Sequence, residues 1–407
     1  MQPTEVFLNG VLVTDAGVVR DGMVLAAEGR IVYVGARRDD LIPEAAARFD
    51  ANGCYISPGF VDIHVHGGAG SDFMDATRSD LEAVFRYHAL HGTTSVCPTT
   101  ATAPLNEILA ALDAIGEYRS GPQHCGRALG AHIEGPFLAM TKRGCHLPEH
   151  VHNPQQREWR QILERGPVAA MTLAPELPGA RTLVEELHRR GANANAGHSE
   201  ALFHEMEEAV DWGVTHVTHL YCAMTDAMNN RWRGTPNPRS GGILEAVYLD
   251  DRLSSELITD GKHLSREILR LAFRNKGYEK LAIVTDAMRG AGMPDGEYTF
   301  GPRNGMRAIV RNREARIPDG TALASSVFPM NEMVGVFRDL TGCALWQAVR
   351  MASLTPSEIV GRQDEIGSLA AGKFADIVFF DEALEVHATF AGGKPVTPAA
   401  LSTETAS

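Results

Sequence analysis

The chain opens in period two. Val6-Phe7-Leu8, Val11-Leu12-Val13, Met23-Val24-Leu25-Ala26 and Ile31-Val32-Tyr33-Val34 are short apolar runs, separated by Asn9-Gly10, Asp21-Gly22 and Glu28-Gly29. Such pairs favour the positive-φ turns of hairpins, so residues 1 to 56 read as short strands joined by turns. The other end repeats the pattern in Ala375-Asp376-Ile377-Val378-Phe379-Phe380, His387-Ala388-Thr389-Phe390 and Gly392-Gly393-Lys394-Pro395-Val396. Neither end buries much core alone, because isolated hairpins are marginal in water. Together they predict one small β-sandwich domain, residues 1–56 and 365–407, with the rest of the chain inserted into it. From Pro398 the residues are small and polar and are expected to fray.

Between the ends the period changes. Apolar runs at 60–65, 94–97, 128–133, 168–173, 192–196, 216–218, 255–259 and 281–285 read as buried strands. Helical spacing lies between most of them, at 81–90, 105–115, 182–190, 201–210 and 266–273. Eight strand–helix units predict an α/β fold, a (β/α)8 TIM-like barrel over residues 57–364. A doubly wound open sheet is the rival. It would want a Gly-rich turn leading from the first strand into a helix; Gly67-Gly68-Ala69-Gly70 matches weakly, and no dinucleotide pattern completes it.

Polar residues interrupt the apolar pattern at the strand ends. The first barrel strand runs into Pro58-Gly59-Phe60-Val61-Asp62-Ile63-His64-Val65-His66-Gly67-Gly68, where His64 and His66 share one face. Glu134 ends the third strand, His198 the fifth, His219 the sixth and Asp286 the eighth. In a barrel these ends meet around one mouth. Each has a structural alternative: core histidines for the His-x-His pair, a helix start for Glu134, helix packing for His198, an N-cap for Asp286. As a set of six at five strand ends they are hard to explain by packing, which favours apolar side chains there.

Imidazole with carboxylate suits zinc, or iron or manganese, better than calcium. Glu134, His198 and His219 would form one three-ligand site with a position left for water. His64 and His66 could hold a second ion, bridged by Glu134 or water, with Asp286 as general base. His132 and His216 read as structural or supporting; His216, three residues before His219, is expected to face away.

Composition narrows the partners. At 407 residues, 44% hydrophobic and 22% charged, the chain can build one large domain and a small one. A formal net charge of −13 argues against nucleic acid and anionic membrane, and an anionic substrate would need a local basic pocket. Met1 to Gly10 lacks a basic stretch followed by an apolar run, and no apolar stretch is long enough to span a bilayer. Cys54, Cys97, Cys125, Cys145, Cys222 and Cys343 are dispersed without a Cys-x-x-Cys pair, as expected of reduced thiols in a cytoplasmic protein.

The strand-end motifs together resemble the amidohydrolase superfamily, and more closely its N-acetylglucosamine-6-phosphate deacetylase family. The resemblance runs along nearly the whole chain. It is carried by the Pro58–Gly68 stretch, His91-Gly92-Thr93-Thr94, His132-Ile133-Glu134-Gly135-Pro136-Phe137, Leu173-Ala174-Pro175-Glu176, Ala196-Gly197-His198-Ser199, Thr218-His219-Leu220, Thr259-Asp260-Gly261 and Val284-Thr285-Asp286-Ala287-Met288. Gly367-Ser368-Leu369-Ala370-Ala371-Gly372-Lys373-Phe374-Ala375-Asp376 is similar to the wider superfamily. The resemblance implies metal-dependent hydrolysis of an amino-sugar phosphate acetamide, N-acetylglucosamine 6-phosphate giving glucosamine 6-phosphate and acetate, by a homodimer. N-Acetylgalactosamine 6-phosphate or another N-acyl compound is the alternative substrate; a non-catalytic scaffold is the least favoured reading, since no ligand is missing. A hydantoinase-type enzyme would bring a bridging lysine from the fourth strand, which here ends in Thr172-Leu173-Ala174-Pro175-Glu176.

The resemblance also assigns roles. Glu134, His198 and His219 would hold the main ion, zinc foremost, Asp286 would be the acid/base, and His64 and His66 match members with a second ion. His146, in Lys142-Arg143-Gly144-Cys145-His146, matches a histidine near the substrate carbonyl, and His263 a sugar-binding histidine. The phosphate end departs from the family. Cys222-Ala223-Met224 replaces Asn-Ala-Met, Asn229-Asn230-Arg231-Trp232-Arg233-Gly234-Thr235-Pro236 replaces a His-Arg-Glu-Pro-Gly-like segment, Leu147 stands for an Asn, and Ser325-Ser326 for Gly-Ser. Arg231 and Arg233 are either phosphate-binding forks or part of a solvated basic loop.

Overall fold

The computed structural model describes residues 2–226 and 240–396. The predicted fraying from Pro398 falls outside them.

Eight parallel strands form a ring: Phe60–Val65, Thr93–Thr100, Ala131–Glu134, Val168–Leu173, Asn193–Ala196, Val214–Val217, Ser254–Ile258 and Leu281–Val284. Each pairs with the next in chain order. The eighth meets the first where Asp286 N–H donates to His64 O (2.8 Å) and His66 N–H to Ala287 O (2.9 Å). Buried Asp62 reinforces that seam, accepting from Thr285 Oγ1 at 2.5 Å. This is the predicted (β/α)8 barrel, with helices packed outside it. Arg78–Leu90 shows why they form: Thr77 caps it by accepting from Asp80 N–H, and Leu81, Val84, Phe85, His88 and Ala89 make one buried stripe at helical spacing. Among the described residues, no helix is long and apolar enough to cross a membrane.

Several elements were not predicted, among them the helices Ile243–Leu249, Met330–Thr341, Leu345–Met351 and Leu354–Ile359. Gln156–Arg165 is a helix whose buried face is Trp159, Ile162 and Leu163. After the eighth strand, Gly296–Phe300, Met306–Arg311 and Glu314–Arg316 form a three-stranded antiparallel insert.

The two ends of the chain share one eight-stranded sheet, in the order 394–395, 386–391, 377–380, 55–58, 5–14, 17–27, 30–36, with 47–50 also on 5–14. The layers expected of a sandwich come from this single sheet folding over: two strands separate those of Phe7 and Phe390, yet their rings lie 4.9 Å apart. Phe49 and Phe379 complete the aromatic core. The hairpin reading needs correction here. Asn9-Gly10 and Asp21-Gly22 are irregularities inside the strands Glu5–Thr14 and Gly17–Ala27, and the chain reverses at Thr14–Gly17 and Glu28-Gly29. A left-handed residue followed by Gly serves a β-bulge as well as a turn, and Asn9 (φ 58°) and Asp21 (φ 47°) are such residues. Gly10 is also obligatory on space, because a Cβ there would sit 2.6 Å from Cys54 O. Phe7 is fully buried against three rings. Phe7→Ala is therefore expected to cost about 3–5 kcal/mol, read as a lower midpoint in urea; an unchanged midpoint would rule out this packing.

Candidate active site

The ligand-type residues predicted at the strand ends converge at the C-terminal mouth of the barrel. His64 and His66 leave the first strand on one face. Glu134 is the last residue of the third. His198, His219 and Asp286 lie just beyond their strands with φ of 48°, 26° and 44°, a backbone that non-glycine residues adopt at a cost. Neighbours hold them there: His198 O accepts from Ala139 N–H (2.9 Å), His219 N–H donates to Glu256 Oε1 (3.1 Å), and Asp286 N–H is bound by the seam.

Glu134 is the hub. Its Oε1 lies 3.3 Å from Nε2 of His64, His198 and His219, and its Oε2 3.2 Å from Nε2 of His66 and His146. Asp286 Oδ1 is 3.3 Å from His66 Nε2 and 3.6 Å from His64 Nε2, and accepts from Ser325 Oγ at 3.0 Å. Two groups have the compactness of a metal site: Glu134 with His198 and His219, and His64 with His66 and Asp286, all buried. The first is the expected trio. In the second, Asp286 joins the expected histidine pair.

The donor chemistry fits divalent ions. His198 Nδ1–H donates to Lys142 O (2.7 Å) and His64 Nδ1–H to Glu256 Oε1 (2.5 Å), which leaves each Nε2 a lone pair. Nε2 of His198 and His219 face each other at 3.0 Å, which needs a proton or a cation between them. His64 Nε2, both nitrogens of His66 and Glu134 Oε1 are buried without hydrogen-bond partners. Buried polar atoms are rarely left so, and a cation would satisfy them.

The charges agree. Burial opposes ionisation of Glu134, but His64 and the imidazoles of His146, His198 and His219 set against it hold its carboxyl well below the usual range. Burial is likewise outweighed at Asp286, which His64 and His66 hold down to about 2. Burial pushes His146 down to about 4, so it is neutral at pH 7. Thr102 N–H donates to its Nδ1 (3.3 Å), which puts the ring proton on Nε2, aimed into the site.

Above this floor lies a cavity of about 340 Å³, lined also by Cys222, Ala223, Ile258, His263 and Phe300. His263 is oriented by Nδ1–H donating to Asp260 Oδ2 (2.8 Å). Burial pushes the Cys222 thiol up to about 12, so it presents a neutral, weakly polar group. Arg231 and Arg233 lie outside the described residues. Phe300, missed in the sequence, comes from the insert and packs on His66 and His146 at ring distances of 4.7 and 5.4 Å. Buried Arg289 pins it, donating to Thr299 O (2.7 Å) and Gly301 O (2.6 Å) while pairing with Asp75 (3.0 Å).

His132 packs edge-on against His64 (4.7 Å) and bonds Thr172 Oγ1 (2.7 Å), a supporting place. His216 does not face away. It is buried in the barrel, 2.8 Å from Ser254 Oγ and 3.2 Å from Glu256 Oε2. Its strand ends at Val217 and the chain turns before His219, so strand alternation does not relate the two histidines. Glu256 itself was missed; its only sequence signal is a lone carboxylate inside a strand that proves buried throughout.

A barrel with this metal-type mouth and a terminal sheet defines a class. Residues 55–396 match the Amidohydrolase family, and the chain belongs to that family, whose superfamily is metal-dependent. Within it the chain falls in the N-acetylglucosamine-6-phosphate deacetylase family. It is 32% identical over 389 residues to the N-acetylglucosamine-6-phosphate deacetylase of Lysinibacillus sphaericus, covering 93% of this chain and 97% of that one. It is also 32% identical over 387 residues to the N-acetylgalactosamine-6-phosphate deacetylase of Escherichia coli O157:H7, covering 94% and 97%. The structure of an N-acetyl-D-glucosamine-6-phosphate deacetylase mutant from Mycobacterium smegmatis, in complex with N-acetyl-D-glucosamine-6-phosphate, aligns with a TM-score of 0.87 at 30% identity, covering 97% of this chain and 99% of that one.

Proposed function

We propose that the chain hydrolyses the acetamide of N-acetylglucosamine 6-phosphate, giving glucosamine 6-phosphate and acetate. The observation that carries this is the convergence of Glu134, His198, His219, His64, His66, Asp286 and His146 at the floor of one cavity. A divalent ion held by Glu134, His198 and His219, with a second at His64, His66 and Asp286, would polarise the carbonyl and acidify water; the donor set favours zinc, with iron or manganese also suited.

The chain's own groups do the rest. Asp286, ionised and steadied by Ser325 Oγ, takes a proton from the attacking water as its oxygen bonds the acetyl carbon. His146 donates Nε2–H to the carbonyl oxygen as charge develops there, and being neutral it does so without giving up the proton. As the C–N bond breaks, Asp286 returns its proton to the leaving nitrogen. His263, fixed by Asp260, binds a sugar hydroxyl beside Cys222 and Ala223, and Arg231 and Arg233 are assigned to the phosphate.

The reading extends to a cytoplasmic homodimer, with residues 1–56 and 365–407 as the small domain beside the barrel of 57–364. Six unpaired cysteines support a reducing compartment, and the family resemblance supports the dimer.

The deciding experiment compares kcat/KM for acetate release from N-acetylglucosamine 6-phosphate and from N-acetylglucosamine, in metal-replete protein. Charge-assisted contacts to phosphate are expected to favour the first by about two orders of magnitude. Release from neither sugar nor from any other N-acetyl sugar would overturn the proposal. The galactosamine phosphate is the second reading, favoured by the relative in E. coli O157:H7, and belongs in the same assay.

A further inference from the structure

We infer that Glu256 is a positioning residue that makes the His64, His66 and Asp286 group a true second ion site and ties it mechanically to the first. The inference rests on the two-ion reading above.

Glu256 lies inside the seventh barrel strand, Ser254–Ile258, fully buried. A carboxylate there is unfavourable unless it is paired. Its two oxygens are fully employed. Oε1 accepts from His64 Nδ1–H at 2.5 Å and from the backbone N–H of His219 at 3.1 Å, and Oε2 meets His216 Nε2 at 3.2 Å. His216 is itself steadied by Ser254 Oγ, 2.8 Å from its Nδ1. One carboxylate therefore grips a side chain of the second group and the main chain of a ligand in the first.

The grip on His64 has a chemical result. A proton fixed on Nδ1 leaves Nε2 unprotonated, and an anionic partner makes that nitrogen a stronger donor to a metal. The first group is supported differently, since His198 is held by a neutral carbonyl, Lys142 O. The other imidazole of the second group, His66, has no hydrogen bond at Nδ1 and rests on the Phe300 ring. The second position thus depends on Glu256 for its one oriented imidazole, as well as for negative charge behind it.

The test counts ions. Wild type and Glu256→Gln are stripped with chelator and equilibrated with graded free Zn²⁺, and bound zinc is measured by mass spectrometry. The amide keeps an acceptor for His64 and His219 and can donate to His216 in its other tautomer, so the substitution removes charge with little change of shape. Wild type is expected to hold two ions. Glu256→Gln is expected to hold the first with unchanged affinity and the second about 10–100-fold more weakly. The thermal midpoint of the stripped variant should stay close to that of stripped wild type, because the amide keeps the same shape and hydrogen-bond partners. A purely structural role would lower that midpoint and weaken both ions. Two ions bound by the variant at wild-type affinity would overturn the inference alone. A wild type that takes up one ion would overturn the two-ion reading, and the inference with it. Should Glu256→Gln not fold, Glu256→Asp, which withdraws the charge from His64 by one methylene, must give the same selective loss.

Discussion

Asp286→Asn is expected to lower kcat by about two to four orders of magnitude while an ion stays at Glu134, His198 and His219. Asn has the shape of Asp and can still accept from Ser325 Oγ, and the backbone bonds from Asp286 N–H to His64 O and from Ser326 N–H to Asp286 O do not involve the side chain. What it loses is the capacity to take a proton. Native Asp286 has that capacity throughout the neutral range, because the neighbouring imidazoles hold its carboxyl down to about 2 against the effect of burial. The substitution also replaces a candidate ligand of the His64 and His66 group. Single-turnover rates measured beside the metal content therefore separate proton transfer from ion loss. A kcat near wild type would remove Asp286 from the acid/base role.

His219→Ala is expected to abolish both metal at the first group and turnover. Its Nε2 is 3.0 Å from that of His198 and 3.3 Å from Glu134 Oε1, so its loss leaves two ligands and a gap. Two ligands do not hold a catalytic zinc against a chelator, whereas three with an open position do. Losing several kcal/mol of Lewis-acid stabilisation is worth about a thousandfold or more in kcat. His198→Ala should behave alike. Metal content and acetate release report the two effects separately, and full metal retention in either variant would show that the ligand set is misassigned.

Much of the fold and of the candidate site was legible, for physical reasons. A parallel barrel needs buried apolar strands at regular intervals, and those runs stand out. Once a barrel is inferred, its geometry brings the strand ends together, so His64, His66, Glu134, His198, His219 and Asp286 could be grouped although up to 222 positions separate them in the chain. Strand alternation failed where strands ended: His216 turned inward because the chain leaves its strand before His219. Glu256 was hidden because one carboxylate in a short strand has no pattern of its own until the facing strands supply His64 and His216. Phe300 reaches the site on an insert that breaks the strand–helix rhythm, and nothing local marks where such an insert folds back. At the N-terminus the error was one of degeneracy, since Asn9-Gly10 suits a bulge as well as a turn.

The shared terminal sheet sets an order on biogenesis. The strand 55–58 pairs with 377–380, and Phe7 finds Phe390 only when the last strands are made. At about 5–20 residues per second, that leaves the early strands waiting on the order of tens of seconds on the ribosome. Through that interval an unpaired edge and the Phe7 and Phe49 rings face solvent or a chaperone, while the barrel between them is already complete enough to collapse. A message cut short before residue 377 would thus yield a chain with its barrel strands intact and its early strands sticky, more prone to aggregate than to lose the chemistry at its mouth.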